Sequence, residues 1–175
     1  MHTPTELFPG LEEAASADGM PTVYAPLERV AEAARALREA GFTVLVDAIP
    51  VDLLPREPRF EISYLLLDPG GGGRAPSRLR LKVRVPGTNP RVPTLSGVWM
   101  SANWAEREAY DLYGIEFDGH PDLRRILMPD DWEGFPMRKD YPVQIKAPVK
   151  TYEPLQVSEE EFVANLKAAR DHAKR

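Results

Sequence analysis

Cysteine is absent from the 175 residues, which excludes disulfides, thiolate nucleophiles, Cys-bound zinc and iron–sulfur ligation by this chain. Histidine is scarce. His2, His120 and His172 lie far apart in sequence, which disfavours a His-rich metal site. Long hydrophobic runs are also missing: purely apolar stretches reach about four residues, as at 64–67, where a membrane span needs roughly 20. Residues 1–10 have neither the basic start nor the apolar core of a leader. The expectation is a cytosolic chain, or one held at a membrane through another protein. A basic excess is lacking as well. Lys plus Arg is 22 against 27 Asp plus Glu, a formal charge of −5, which disfavours a general nucleic-acid binder.

Proline, by contrast, is abundant: 18 residues, roughly twice the usual ~5%. Pro121, Pro129, Pro136, Pro142, Pro148 and Pro154 interrupt the second half every six to eight residues. Such a segment is ordered by packing on something rather than by ladders of its own. With 43% hydrophobic and 28% charged residues, the chain otherwise has the composition of a folded globular protein.

Periodicity supplies the elements. Residues 22–25 suit a short strand. Pro26 suits a first helical turn, Leu27, Val30, Ala31, Ala34 and Leu37 follow at helical spacing, and Gly41 is a natural stop, so a helix is expected over 26–40. Residues 42–54 suit a strand in which Phe42, Val44 and Val46 alternate with Thr43, Leu45 and Asp47, with Pro50 ending or bending it. A second strand is expected at 59–67, with Phe60, Ile62, Tyr64 and Leu66 on one face. A third at 78–85 sets Leu79, Leu81, Val83 and Val85 against Arg78, Arg80, Lys82 and Arg84. That cation row reads first as a solvated sheet face, with Glu61 on the neighbouring strand offsetting part of its repulsion. A docking face for an acidic partner is the sharper alternative. Gly70 to Gly73 lack the Lys and Ser/Thr of a phosphate loop and are followed by a strand, so a flexible hairpin loop is expected.

Residues 98–142 are chemically dense. A helix is expected between Asn103, which can cap it with Glu106 at capping-box spacing, and Gly114, which ends it, with Arg107 and Asp111 as an i,i+4 pair. Glu106-Arg-Glu108, Tyr110-Asp111, Gly114-Ile115, the run from Gly119 through His120, Pro121, Asp122, Leu123 and Arg124 to Arg125, and the close from Trp132 through Gly134, Pro136, Arg138, Lys139, Asp140 and Tyr141 to Pro142 form one long ordered motif. In these residues the chain resembles the 30 kDa subunit, also called the C subunit, of respiratory NADH:quinone oxidoreductase (complex I). The match is dense over 92–142 and looser back to about residue 22.

The resemblance implies a non-catalytic peripheral-arm subunit on the cytoplasmic face of the cell inner membrane, with no membrane span and no nucleic-acid partner. It implies packing on the D subunit, the large subunit that shares the quinone site with the B subunit, and contact with other peripheral-arm subunits. FMN and Fe–S clusters would belong to partner subunits, with none in this chain. Membrane-bound hydrogenases and NDH-type complexes carry a similar subunit and stand as the alternative.

The acids with His120 also allow a rival, a stand-alone metal-dependent hydrolase. Against it, Arg107, Arg124, Arg125, Arg138 and Lys139 are interleaved with the acids. Mutual pairing of six acids and four bases over 118–140 is the simpler outcome, with His120 ordering a turn. Arginines capping carbonyls and carboxylates accepting free N–H groups would order such an arm. The residues expected to form the arm or a partner face are Glu106, Arg107, Glu108, Asp111, His120, Arg124, Arg125, Arg138, Lys139 and Asp140.

The expected fold is α+β: a small antiparallel sheet with helices packed on one face, an extended Pro-rich arm and a C-terminal helix. The expected boundaries are 1–21 for an N-terminal segment, 22–115 for the α+β domain, 116–157 for the arm and 158–175 for the helix. Val143 to Leu155 should be extended. Ser158 opens a capping box for a helix whose stripe of Phe162, Val163, Leu166 and Ala169 is too modest to hold it alone, so docking on another surface is expected.

Overall fold

A computed structural model describes residues 4–142 and 158–172. They divide into two compact units between Tyr141 and Pro142. His2 and the extended stretch expected at 143–155 lie outside the described residues.

The first unit is α+β. A short helix, α1 (Pro4–Leu7), precedes strands β1 (Glu12–Ala14) and β2 (Thr22–Tyr24), helix α2 (Val30–Glu39) and three long strands, β3 (Val44–Asp52), β4 (Phe60–Asp68) and β5 (Ser77–Val85). Strand β6 (Arg91–Pro93), helix α3 (Ala102–Tyr113) and strand β7 (Glu116–Asp118) follow. The five-stranded sheet has the order β1-β2-β5-β4-β3. Its pairs are antiparallel except β2 with β5, which run parallel. β6 and β7 make a separate parallel pair, so the proline-punctuated segment does begin with a short ladder.

The core lies on one face of the sheet. Phe60, Ile62, Tyr64 and Leu66 of β4 and Leu79, Leu81, Val83 and Val85 of β5 are buried there, as their alternation predicts. They join Val30, Ala33, Ala34 and Leu37 of α2 and Ala102 and Ala109 of α3 in one cluster. Apolar burial at roughly 25 cal/mol per Å² is what holds these layers together. The N-terminal segment contributes too, through buried Phe8 and Leu11.

Three local expectations are corrected. The helix expected from residue 26 starts as a 3₁₀ turn at Leu27–Arg29, and α-helix begins only at Val30. Pro26 precedes the turn with ψ 139°, an extended conformation. On β3 the buried residues are Leu45, Ala48 and Asp52, whereas Val44 and Val46 are exposed. The pairing register shifts between Leu45 and Asp47, so Val46 is an extra, bulged residue and the inward face changes parity there. Pro50 neither ends nor visibly breaks the strand, because β3 is an edge. A proline there needs no ladder donor, and the Ala48 N–H is taken by the Asp47 carboxylate at 2.8 Å. The free edge is therefore poor in donors.

On the opposite sheet face two of the four cations in the row are paired from within, and a third lies on a ring. Lys82 pairs with Glu61 at 2.6 Å, Arg80 with Asp18 at 2.6 Å, and Arg84 lies 4.2 Å from the centre of the Tyr24 ring. The glycine run closes the β4–β5 hairpin, with Gly71 bridged to Arg74.

Gly114 ends α3 in the left-handed region at φ 68°, and a Cβ there would run into the Phe135 ring and the Arg138 guanidinium. Gly114→Ala is expected to destabilise the unit by about 1–2 kcal/mol from backbone strain alone. Displacing Phe135 adds to this. A thermal melt of the purified variant measures it, and an unchanged midpoint would contradict the packing.

The second unit contains α4 (Glu159–His172). Its capping residue behaves as expected, the Ser158 hydroxyl accepting the Glu161 N–H at 3.2 Å. Phe162, Val163 and Leu166 are exposed.

Candidate functional site

The motif-bearing residues gather where the segment after β7 lies along α3. Asp111 is the centre. Its side chain is fully buried, and one carboxylate oxygen accepts three consecutive backbone N–H groups, from Ile126 at 3.0 Å, Leu127 at 2.7 Å and Met128 at 2.8 Å. The other oxygen accepts from Arg125 at 2.6 Å. Burial would raise its pKa. The bonds from Met128, Arg125, Ile126 and Leu127 outweigh burial and hold it at about 2.

Arg125 extends the clamp. It donates to the Trp132 carbonyl at 2.9 Å and the Gly134 carbonyl at 3.1 Å, fixing the next turn. Arg107 does not pair with Asp111, contrary to the i,i+4 expectation. It turns to the arm and donates to the carbonyls of Arg124 at 3.1 Å and Arg125 at 3.0 Å. Arg138 caps the end of α3 through the carbonyls of Tyr113 at 2.5 Å and Gly114 at 3.3 Å, between the rings of Phe60 and Phe135. Carbonyl-capping arginines and N–H-accepting carboxylates thus replace the ladders that proline forbids.

The end of the segment is pinned to the sheet. Asp140 takes both terminal nitrogens of Arg59, at 2.9 and 2.6 Å, and Arg59 also grips Asp52. The Lys139 N–H donates to Asp52 at 2.9 Å and its ammonium to the Leu54 carbonyl at 3.3 Å. The Arg59 bonds hold the Asp52 carboxyl well below the usual range. Asp52 and Arg59 carry no local signal of this role, because their partner Asp140 is 81 residues beyond Arg59.

A second buried group lies nearer the start of α3. The capping box expected between Glu106 and Asn103 does not form. Asn103 is inside the helix, the N-cap is Ser101 without a side-chain cap, and the Ser101 hydroxyl donates to the Leu45 carbonyl at 2.9 Å. The Glu106 carboxylate is fully buried, accepting from the Thr94 hydroxyl at 2.5 Å and the Leu95 N–H at 2.6 Å. Burial raises its pKa to about 7 against these bonds. His120 Nε2 is 3.9 Å away. The Asp122 N–H donates to His120 Nδ1 at 3.1 Å, which puts the proton of the neutral ring on Nε2, and Nε2 contacts the Asn103 carbonyl at 3.1 Å. The ring orders a turn and is enclosed.

Two of the ten expected residues are not drawn in. Glu108 is exposed, and Arg124 is exposed beside Asp122 at 2.9 Å. That is one internal acid–base pair of the kind expected over 118–140. Asp118 pairs outside the segment, with Arg91 at 2.5 Å, as Asp140 does with Arg59. Among the described residues no group of three or more His, Asp or Glu could hold a metal ion.

Residues 23–147 match the family model described as respiratory-chain NADH dehydrogenase, 30 Kd subunit. The C subunit of NADH-quinone oxidoreductase from Roseiflexus sp. (strain RS-1) is 50% identical over 125 residues, 70% of either chain. NADH-quinone oxidoreductase subunit 5 of Thermus thermophilus is 47% identical over 126 residues, covering 69% of this chain and 61% of that one. Among solved structures, the trypsin-resistant fragment (1–134) of Nqo5 has a TM-score of 0.60 at 40% identity, over 65% of this chain and 89% of the fragment. A chain of the membrane-bound sulfane sulfur reductase, an archaeal respiratory membrane complex, shares the fold with a TM-score of 0.69 at 24% identity, over 80% of this chain and 82% of that one.

Proposed function

The chain belongs to the family of the respiratory-chain NADH dehydrogenase 30 kDa subunit, and from that membership we propose that it is a non-catalytic scaffold of a proton-pumping NADH:quinone oxidoreductase. It packs on the D subunit, the large subunit of the quinone site, and keeps the geometry of the quinone-site and Fe–S module, as rigid support of a reaction site requires. FMN and Fe–S clusters are carried by partner subunits. The chain is held at the cytoplasmic face of the inner membrane through the complex. Among the described residues no helix is long and apolar enough to cross a membrane.

The observation that carries this reading is the use of the motif's charges. Asp111, Arg125, Arg107 and Arg138 spend their hydrogen bonds fastening the arm to α3, and Asp140 fastens it to the sheet. That arrangement makes a shaped, rigid surface. A stand-alone hydrolase would need His120 open to substrate, and its side chain is fully buried with both nitrogens engaged. The other alternative, an equivalent subunit of a hydrogenase or NDH-type complex, draws on the shared fold.

Affinity purification of the tagged chain from native membranes tests these readings. The expected result is co-purification of flavin- and cluster-bearing subunits with inhibitor-sensitive NADH:quinone activity. Recovery with hydrogenase-type subunits selects the alternative. Recovery alone, with bound metal or intrinsic turnover, overturns the scaffold.

A further inference from the structure

One surface of the first unit is not explained by its own fold. Successive turns of chain at the start of α3 present Met100, Trp104 and Glu108 at i, i+4, i+8 spacing, one stripe of a helix. Met100 is 88% and Trp104 63% exposed. The bond from the Ser101 hydroxyl to the Leu45 carbonyl sets this stripe beside the β3 bulge, where Val46 is 60% exposed. Beyond Glu108 the surface continues into a cavity of about 180 Å³ lined by Asp47, Ile49, Pro50, Glu108, Leu112 and Met137. Ile49 and Met137 are themselves exposed. Isolated exposed apolar residues need no explanation, but a contiguous strip containing a Trp and two Met does. Aromatic residues and Met are the types enriched at the cores of protein interfaces.

Charge selects the occupant. The polar side chains at the cavity include two carboxylates, Asp47 and Glu108, with no Lys or Arg among its lining residues. Apolar walls with acids beside them suit a long basic side chain, whose stem lies along the walls while its head reaches a carboxylate. The free edge of β3 beside the cavity is blunted by Pro50 and by the Asp47 bond to Ala48, so strand addition is not the mode of contact.

We propose that the strip from Val46 and Met100 through Trp104 to the Glu108 cavity is the docking surface for a neighbouring subunit, which lays an apolar segment on Trp104 and inserts a lysine or arginine beside Glu108 and Asp47. The proposal rests on the subunit reading above. It deepens that reading by naming a surface outside the Asp111–Arg125 clamp.

The test places a photo-reactive benzoylphenylalanine at position 104 in the tagged full-length chain, with a second version at the exposed Arg35 of α2 as a control. Each is purified from native membranes after irradiation, and cross-links are mapped by mass spectrometry. Glu108→Lys and Glu108→Gln are compared in parallel. The expected result is a cross-link from position 104 to one segment of another subunit that combines apolar residues with a Lys or Arg. Glu108→Lys should lower the yield of complex at least 10-fold, and Glu108→Gln less, while the isolated variants melt as the parent does. Co-purification without a cross-link from 104 overturns the strip and leaves the subunit reading standing. A cross-link only to α4, only to a second copy of this chain, or to an acidic segment also overturns it. Failure of the unlabelled chain to co-purify with any complex overturns both.

Discussion

Asp111→Ala is expected to release the arm from α3. The substitution strands three adjacent part-buried N–H groups and the Arg125 guanidinium together. Leaving a buried charge uncompensated costs roughly 3–5 kcal/mol, a large fraction of the ~5–15 kcal/mol that holds a domain folded. The loss should be local first. Hydrogen exchange at the amides of Ile126, Leu127 and Met128 should accelerate at least 100-fold, while amides of β4 and β5 stay protected. Uniform acceleration would mean that the arm and sheet unfold as one unit. Arg125→Ala should reproduce most of the effect, and the double variant should cost less than the sum, because both single changes break one clamp. In the complex, Arg125→Ala is expected to lower the yield of assembled enzyme more than the turnover of what assembles. Normal assembly with dead quinone reduction would give Arg125 a direct role instead. The clamp also has a pH signature. The Asp111 carboxyl is held at about 2 against an ordinary 3.8, so its stabilisation is complete above pH 4 and fades as pH falls through 2. A shift of that size is worth about 2 kcal/mol.

The elements with one unambiguous face are legible in the sequence. β5 alternates apolar and charged residues from Arg78 to Val85, β4 does so up to the apolar run at 64–67, and the buried apolar residues of both are those the alternation selects. Gly114 after α3 and Ser158 before α4 are end signals whose chemistry is local, and both operate as such. β3 departs from its pattern because alternation tells the face only while the register holds, and a bulge at Val46 resets it. The capping box fails for a related reason. Ser/Thr/Asn-x-x-Glu is a local pattern, and here the third-position carboxylate finds better donors on Thr94 and Leu95, outside the helix. The general chemistry of the arm, carbonyls capped by Arg and N–H groups taken by carboxylates, follows from its prolines. The partners do not. Arg107 reaches Arg124 and Arg125 rather than Asp111, and Asp140 reaches back 81 residues to Arg59. Such pairs are set by where the arm crosses the fold, which no spacing encodes.

Glu106 is expected to make the first unit less stable as pH rises from 5 to 8, the reverse of the usual carboxylate. Its pKa is about 7 in the folded chain and 4.5 when exposed, because burial disfavours the charge more than Thr94 and Leu95 favour it. Folding therefore favours the protonated form. Its contribution is intact below pH 4.5 and is lost as pH climbs through 7, by about 3 kcal/mol in all. The groups around it sharpen the effect. Tyr64, buried under α3, has its ionisation pushed up by burial and by the Glu106 charge, so it supplies no neutralising proton in this range. His120 stands 3.9 Å off with its Nε2 directed to the Asn103 carbonyl. Glu106→Gln keeps an oxygen for the Leu95 N–H, and its amide can donate to the Thr94 hydroxyl, which already exchanges bonds with Ser96. The variant should melt near the parent at pH 5 and above it at pH 8. Glu106→Ala removes both acceptors and should lose stability at either pH, by about 3 kcal/mol or more, from the unsatisfied donors and the cavity together. Melting curves of the three proteins across pH 5–8 decide it. Parallel slopes for parent and Glu106→Gln would mean that the carboxyl is ionised throughout, in which case the Thr94 and Leu95 bonds are strong enough to hold a naked charge in the core.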